Sequence, residues 1–300
     1  MKSIEEINHI KNKENRRKLY KKYLRIKRRE RRKAEFLKRK VVAEQGPDAW
    51  PTKPVRSIEG EREDEETAVH DAQEEEIVIE EAIDTYKEYY QKEAKPKVLL
   101  ACTSRPHSRT ITFLKELKRV IPNSYVKWKA NAKIKQLGIA AHLRGFTDII
   151  VINEDNKKPN SLLLTHLPEG PTAYFRLSGV KVCKELRKDP NDIMKMRPEV
   201  LLNHFTTRLG RQVSRMLGAV FHYSPNFKGR RVCTFHNQRD FIFFRNHLYQ
   251  FRSEEKVGLR ELGPRFTLKL MWLQEGVMEG DYEWVYKPRE QETSRTRFVL

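Results

Sequence analysis

Cysteine is scarce: the three in 300 residues, Cys102, Cys183 and Cys233, are separated by 81 and 50 residues. Such spacing fits neither a disulfide framework nor a Cys-x-x-Cys metal site, so buried free thiols in a reducing compartment are expected. Long apolar runs are missing too. Stretches such as Ile149 to Ile152 fall far short of the roughly 20 residues that cross a bilayer, and the opening MKSIEEINHIKNK has no secretory apolar core or cleavage site. The expectation is a chain with no membrane partner. Also absent are a Gly-x-x-x-x-Gly-Lys-Ser/Thr loop, a dinucleotide fingerprint, His-Glu-x-x-His and a Gly-x-Ser-x-Gly elbow. We therefore expect no enzyme, cofactor, metal site or small-molecule substrate. Cys102 lies near His107, but a thiol at the end of an apolar strand reads as core. Glu154 and Asp155, which with Asp148 have the charge to hold a cation, run into Lys157, Lys158 and Pro159 and read as a hairpin turn.

What is abundant is charge, unevenly spread. Residues 1 to 40 carry 18 Lys/Arg against 5 acids, residues 59 to 93 carry 15 acids against 3 basic residues, and residues 94 to 300 carry 38 basic residues against 19 acids. A surplus of 38 − 19 = 19 in the part with the globular pattern favours a polyanion partner, and nucleic acid is the commonest. The alternative is a basic surface that serves solubility.

The charge blocks suggest boundaries. Residues 1–45 form a basic arm in which Leu19, Tyr23 and Ile26 make a thin apolar stripe, expected to order on a partner. It serves nucleic-acid binding, nuclear import or both, or is a solubilising tail. Residues 46–95 are a proline and acidic linker ending in an amphipathic docking helix near Ile79 to Tyr90. Its acids act as an electrostatic decoy or are merely solvated.

From residue 96 the chain repeats itself. Pro96, Val98, Leu99, Leu100 then Thr103, Ser104, Arg105 are echoed by Pro198, Val200, Leu201, Leu202 then Thr206, Thr207, Arg208, with offsets of 198 − 96 = 102 and 206 − 103 = 103. Gly170-Pro171 leads into Tyr174, Phe175 and Leu177 as Gly263-Pro264 leads into Phe266, Leu268 and Leu270. Self-similarity at one period points to a duplicated unit. The spacing predicts a strand at Val98 to Cys102, a helix over Arg109 to Arg119, a strand at Tyr125 to Trp128, a helix from Asn131 to Leu143, and strands at Phe146 to Ile152, Leu162 to Leu167 and Ala173 to Leu177. The second unit restarts at Val200, has a helix from about Arg208 to Phe221, and becomes strand-rich from Arg230 with a hairpin at Asn237 to Asp240. It lacks an obvious second helix. The fold class is thus α/β, with two tandem, similar mixed-sheet lobes at 96–195 and 196–290 and a basic-aromatic tail at 291–300.

Each repeat sets a basic turn before its first helix: Thr103, Ser104, Arg105, His107, Ser108 and Arg109 in one, Thr206, Thr207, Arg208, Gly210 and Arg211 in the other. Free amides and the helix dipole suit a phosphate there. Equally, Ser108 and Thr206 or Thr207 suit capping. Arg230, Arg231, His236, Arg239 and Arg245 interleave with Phe235, Phe241, Phe243 and Phe244. Rings stack on unpaired bases while guanidinium groups hold phosphates, although strand alternation sends half of these rings into the core.

Thr103-Ser104-Arg105-Pro106, Phe146-Thr147-Asp148, LPEGPTAYFRLS from Leu167 to Ser178, TFHNQRDFIFFR from Thr234 to Arg245, Leu262-Gly263-Pro264-Arg265-Phe266 and the ending TSRTRFVL together resemble a Brix domain over about residues 96 to 300. The resemblance implies two anticodon-binding-like lobes and a non-enzymatic nucleolar factor for large (60S) subunit assembly. It implies binding to precursor ribosomal RNA and a dedicated non-Brix assembly factor among other pre-60S proteins. It also implies RNA contact by the tail at Arg295, Arg297 and Phe298. The expected RNA-binding residues are thus Arg105, Arg109, Arg208, Arg211, Arg230, Arg231, Arg239, Arg295, Arg297 and Phe298. Two other readings stay open: a protein-interaction scaffold with weak RNA affinity, and, from the anticodon-binding likeness, a tRNA-handling accessory.

Overall fold

The structure is a computed structural model that describes residues 9–46, 57–58, 60–63, 67–69, 75–103, 105–128, 133–186, 196–221, 224–253, 256–291 and 296–300. The chain divides into two compact units, residues 1–57 and 58–300. Among the described residues the first contains one helix, α1 (Lys13–Gln45), 33 residues long. Asn12 starts it by accepting from the amides of Glu14 and Asn15 at 3.0 and 3.1 Å. Arg31 pairs with Glu35 one turn on at 2.9 Å. The arm is thus a continuous helix whose Tyr20, Phe36 and Leu37 are exposed.

In the second unit, one mixed sheet of eleven strands carries both repeats. Helices α2 (Glu75–Ile83) and α3 (Lys87–Tyr90) lead into β1 (Val98–Cys102), α4 (Ser108–Val120), β2 (Ser124–Lys127), α5 (Ile134–His142), β3 (Asp148–Asp155), β4 (Lys158–His166), β5 (Thr172–Lys181) and α6 (Cys183–Leu186). The second repeat runs β6 (Glu199–Asn203), α7 (Arg208–Ala219), a 3-10 turn at Phe227–Gly229, β7 (Arg231–Gln238), β8 (Phe241–Phe251), β9 (Val257–Glu261), β10 (Arg265–Gln274), β11 (Tyr282–Val285) and α8 (Pro288–Gln291). The main path across the sheet is β2-β1-β3-β4-β5-β10-β8-β7-β6.

The duplication explains that order. β1 is parallel to β3, which begins an antiparallel run through β4 to β5. Likewise β6 is parallel to β7, and β8 and β10 follow antiparallel. The two repeats meet where β5 and β10 pair antiparallel, Leu177 opposite Leu268 and Phe175 opposite Leu270. Since 268 − 175 = 93 and 270 − 177 = 93, each repeat places the same two positions against the other, so the join is self-complementary like a two-fold dimer interface. The lobes are therefore joined edge to edge in one sheet.

Packing distinguishes the two faces. Phe113, Leu114, Leu117 and Val120 of α4 and Val213, Met216 and Leu217 of α7 share one apolar cluster with Phe175, Phe235, Phe244, Phe266 and Leu268. Both helices thus cover the same face, each through a stripe at helical spacing. On the other face α5 covers only the first repeat, with Leu137 and Ala141 on Leu99, Ala101 and Ile149. This is why β1 is buried at every position. Among the described residues the second repeat has no counterpart of β2 or α5, as its sequence suggested, and the α5-side face of β7, β8 and β10 is left uncovered by a helix.

The linker docks as expected from Tyr86 onward. Tyr86 and Tyr89 set their rings edge-on to His166 at 5.1 and 5.5 Å, and His166 Nδ1 lies 2.8 Å from Asp148 in the interior. Burial, reinforced by the nearby Asp148 charge, pushes the Tyr86 phenol well up and the Tyr89 phenol to about 12. Asp148 is therefore the partner of an interior histidine. Earlier in the linker the reading fails: Ile79 and Ile83, expected to face inward, are exposed, and Ile77 is the buried residue of α2.

Candidate nucleic-acid interface

The ten expected RNA-binding residues do not form one patch. Arg230 precedes β7 and Arg239 follows it, so roughly 25 Å of strand separates them. Arg105, Arg230 and Arg239 are exposed in turns, with φ of 58, 46 and 55°. Arg109 donates to the Val180 carbonyl and to Glu185, both at 3.1 Å. Arg208 meets Glu80, and Arg211 meets Glu81. Arg231 lies in the core, 1% exposed. Its guanidinium donates to Asn246 Oδ1 at 3.2 Å and to the carbonyls of Val120 and Met196 at 3.1 and 3.2 Å. It serves the free carbonyls at the end of α4, and burial lowers its pKa. Arg231 is removed from the interface on that ground. Arg295 lies outside the described residues. Arg297 is exposed, while the half-buried Phe298 ring has the Arg62 guanidinium over it at 5.7 Å.

Neither basic turn offers a vacant helix N-terminus. At α4 the Glu154 carboxylate accepts from the His107 amide at 2.9 Å and from the Thr110 hydroxyl. Burial pushes that carboxyl up, but the hydrogen bonds from Thr110 and His107 outweigh it and hold the carboxyl below its ordinary value. The anion expected there is one of the chain's own side chains, and Glu154 is not a hairpin-turn residue, since the turn falls at Asn156 and Lys157. At α7 the capping alternative holds: Thr207 Oγ1 accepts from the Gly210 amide at 2.9 Å and donates to the Val299 carbonyl at 2.7 Å. Ser108 makes no such cap at α4. Linker residues also lie over the α7 turn, with the Val69 amide on the Thr206 carbonyl at 2.7 Å and the Arg208 amide on the Thr67 carbonyl at 3.1 Å.

The tail is seated beside the linker, with the Glu63 amide on the Thr296 carbonyl at 3.0 Å. The amides of Val299 and Leu300 donate to Asp240 Oδ1 at 2.9 Å each, and Asn237 Nδ2 donates to the Leu300 carbonyl at 2.9 Å. Burial raises the Asp240 pKa, only partly offset by those two amides. The tail therefore closes the end of the β7–β8 hairpin.

What remains available is the uncovered face of the sheet. Alternation sends Phe235 of β7 and Phe244 of β8 into the core and turns Phe241, Phe243 and Arg245 outward. Phe241 is 40% exposed. Lys269 lies opposite Phe241 in β10, its ammonium 5.3 Å from that ring and 3.9 Å from the Tyr286 ring. Arg176 of β5 pairs with Lys269 on the same face and is exposed. Beyond the bulge in β10, Tyr174 and Trp272 stack at 5.3 Å with Tyr282 edge-on to Trp272 at 5.7 Å. Arg245 lies over Phe243 at 5.8 Å, and burial, then the Arg265 charge, lowers its pKa. Rings and cations thus alternate over three adjacent strands, an arrangement that stacks unpaired bases and holds phosphates. Lys269, Arg176, Tyr174 and Trp272 are absent from the expected set. The signal for Lys269 was alternation: Phe266, Leu268 and Leu270 face the core and Lys269 falls on the other side of the strand, although Thr267 on that side is itself buried.

The Brix domain profile matches residues 103–272, more than half of the chain, and the chain belongs to the Brix-domain family. The relatives point more narrowly. It is 47% identical to ribosome production factor 1 of Pongo abelii, over 98% of this chain and 85% of that one. It is 45% identical to probable ribosome production factor 1 of Drosophila melanogaster, over 97% of this chain and 74% of that one. Of the solved structures, a probable ribosomal biogenesis protein from Aeropyrum pernix K1 is 17% identical with a TM-score of 0.45, covering 58% of this chain and 96% of that chain.

Proposed function

We propose that this chain is a non-enzymatic ribosome biogenesis factor of the large (60S) subunit that binds unpaired segments of precursor ribosomal RNA in the nucleolus. Ribosome biogenesis is the coarse function supported by the Brix family and by relatives named ribosome production factor 1. RNA binding rests on one observation, the bare sheet face on which Phe241, Phe243, Tyr174 and Trp272 alternate with Lys269, Arg245 and Arg176. Exposed aromatic rings beside cations suit single strands, whose bases present their faces, better than duplexes, whose bases are stacked away. Pre-60S proteins, including a dedicated non-Brix assembly factor, are the proposed protein partners. Exposed Phe251, Val257 and Leu259 at the β8–β9 end of the same face are suited to such a partner.

The test is Phe241→Ala combined with Lys269→Glu. Loss of one stacked base costs about 1–3 kcal/mol, so affinity for a single-stranded oligonucleotide falls by roughly 5- to 150-fold, while affinity for a duplex moves much less. Unchanged single-strand affinity refutes the face. Crosslinking in cells, followed by sequencing of the attached RNA, is expected to recover large-subunit precursor sequences; recovery mainly of tRNA overturns the assignment.

A further inference from the structure

We propose that the outer side of α7, bearing Arg208, Arg211 and Arg215, is a second binding site for RNA phosphates, held shut by the acidic helix α2. The proposal rests on the RNA-binding reading above and adds a site and its occlusion to it. The three arginines recur at i, i+3 and i+7, over about 10 Å of one helix side, opposite the buried Val213, Met216 and Leu217. Each meets a carboxylate from the linker. Arg208 Nη1 lies 3.3 Å from Glu80, and Arg211 Nε donates to Glu81 Oε1 at 3.0 Å. Arg215 donates to Asp84 Oδ1 at 2.8 Å and to Glu81 Oε2 at 3.2 Å. Three carboxylates along one edge occupy positions that backbone phosphates fill in a complex, and three arginines are the side chains best suited to phosphate.

Three further features mark the contact as exchangeable. First, a cavity of about 460 Å³ is lined by those charged groups together with Ile77, Leu209, Gln212, Glu283 and Trp284. Second, α2 docks with most of its apolar residues turned away: Val78, Ile79 and Ile83 are 53, 57 and 77% exposed, and among its described side chains Ile77 alone is buried. Charge, and little apolar area, holds the helix down, and exposed charge pairs are weak and screened by salt. Third, the pairs tighten along the helix. Arg208 and Glu80 are both about half exposed, whereas the Arg215 side chain is 12% exposed against Asp84. Arg215 also covers the Tyr90 ring at 4.3 Å. Helix α2 is thus held least tightly at its Glu80–Arg208 pair, between residues 67–69, which bond to the α7 turn, and Tyr86 and Tyr89, which keep the linker seated.

The experiment measures binding of a fluorescent 20-residue polyuridine to the full chain by anisotropy across a salt series. The proteins are wild type, E80Q, E80Q/E81Q, E80Q/E81Q/R208E/R211E and a charge-matched control, E275Q/D281N. Releasing two arginines to phosphate makes the log-log salt slope of E80Q/E81Q more negative by about 1.4, at roughly 0.7 per contact on a single strand. Its affinity at low salt is expected to rise about 5- to 10-fold, with R208E/R211E abolishing the gain. E80Q alone, at an exposed pair that folding does not need, is expected to move in the same direction. An unchanged slope and affinity in E80Q and E80Q/E81Q overturns the site, as does an equal gain in the control. A slope near zero in every protein instead overturns the RNA-binding reading, and this site with it.

Discussion

Arg231→Met tests whether a basic residue in the most RNA-like stretch of sequence holds the fold together instead. The methionine keeps much of the length and apolar stem of the arginine but none of its donors. Four acceptors lose those donors: Asn246 Oδ1, which keeps the Cys233 thiol at 3.7 Å, and the carbonyls of Arg119, Val120 and Met196, which are left unmet. Each buried acceptor left unmet costs about 1–3 kcal/mol, so the gross loss is about 3–9 kcal/mol. Against it stands the cost of burying an arginine at 1% exposure, which the variant no longer bears. The net expectation is a loss of about 3 kcal/mol. In a unit of this size that lowers Tm by about 6–12 °C. Urea denaturation followed by far-UV circular dichroism measures it, and Arg231→Lys, which supplies one ammonium where a fork spans two repeats, is expected to recover less than half. At concentrations of urea where both proteins are folded, RNA affinity is expected to match wild type. A stability change below about 1 kcal/mol, or an RNA defect in the fully folded variant, refutes the structural role.

Glu154→Gln is expected to cost about 1–2 kcal/mol at neutral pH. Because the Glu154 carboxyl sits below its ordinary value in the folded state, its contribution is fully present above the usual carboxylate range and is lost as pH falls through the folded value; the variant's acid denaturation profile is expected to be flatter there. Thr207→Ala removes the α7 cap and the donor to Val299, a loss of about 1 kcal/mol by thermal melting. Tyr86→Phe runs the other way: its buried hydroxyl meets no partner among the described residues, so stability is expected to stay within about 0.5 kcal/mol of wild type or to rise.

Much of this architecture is readable without coordinates because it obeys local rules. The apolar run Val98 to Cys102 is a strand at those same bounds. The Arg239-Asp240 turn forms the expected hairpin, and the Gly-Pro echoes open the two strands that join the lobes. Strand parity is harder where apolar residues are adjacent. Phe243 and Phe244 each permit one register for β8, and a shift of one residue exchanges faces. In β7 the same parity that buries Phe235 buries Arg231, but the clustering of positive charge argued for an exposed run. The outward turn of Ile79 and Ile83 had no local signal at all. It follows from Glu80, Glu81 and Asp84 finding arginines more than 120 residues away.

The inequality of the two repeats connects fold to function. In the first, α5 buries Leu99, Ala101 and Ile149 on the face opposite α4, so that face is apolar and closed. The second repeat goes from α7 to β7 through a 3-10 turn, and without a covering helix its outward positions must face water. Its sequence answers with cations and amphipathic rings, as at Phe241, Lys269 and Arg245. Arg109 pairs with Glu185, Arg211 with Glu81 and, on the outward side of β10, Arg265 with Glu261. Beside that last pair, Lys269 lies over the Phe241 and Tyr286 rings and Arg245 over Phe243. The outward side of the second repeat is thus where the sequence sets rings beside cations, the observation on which the proposed RNA reading rests.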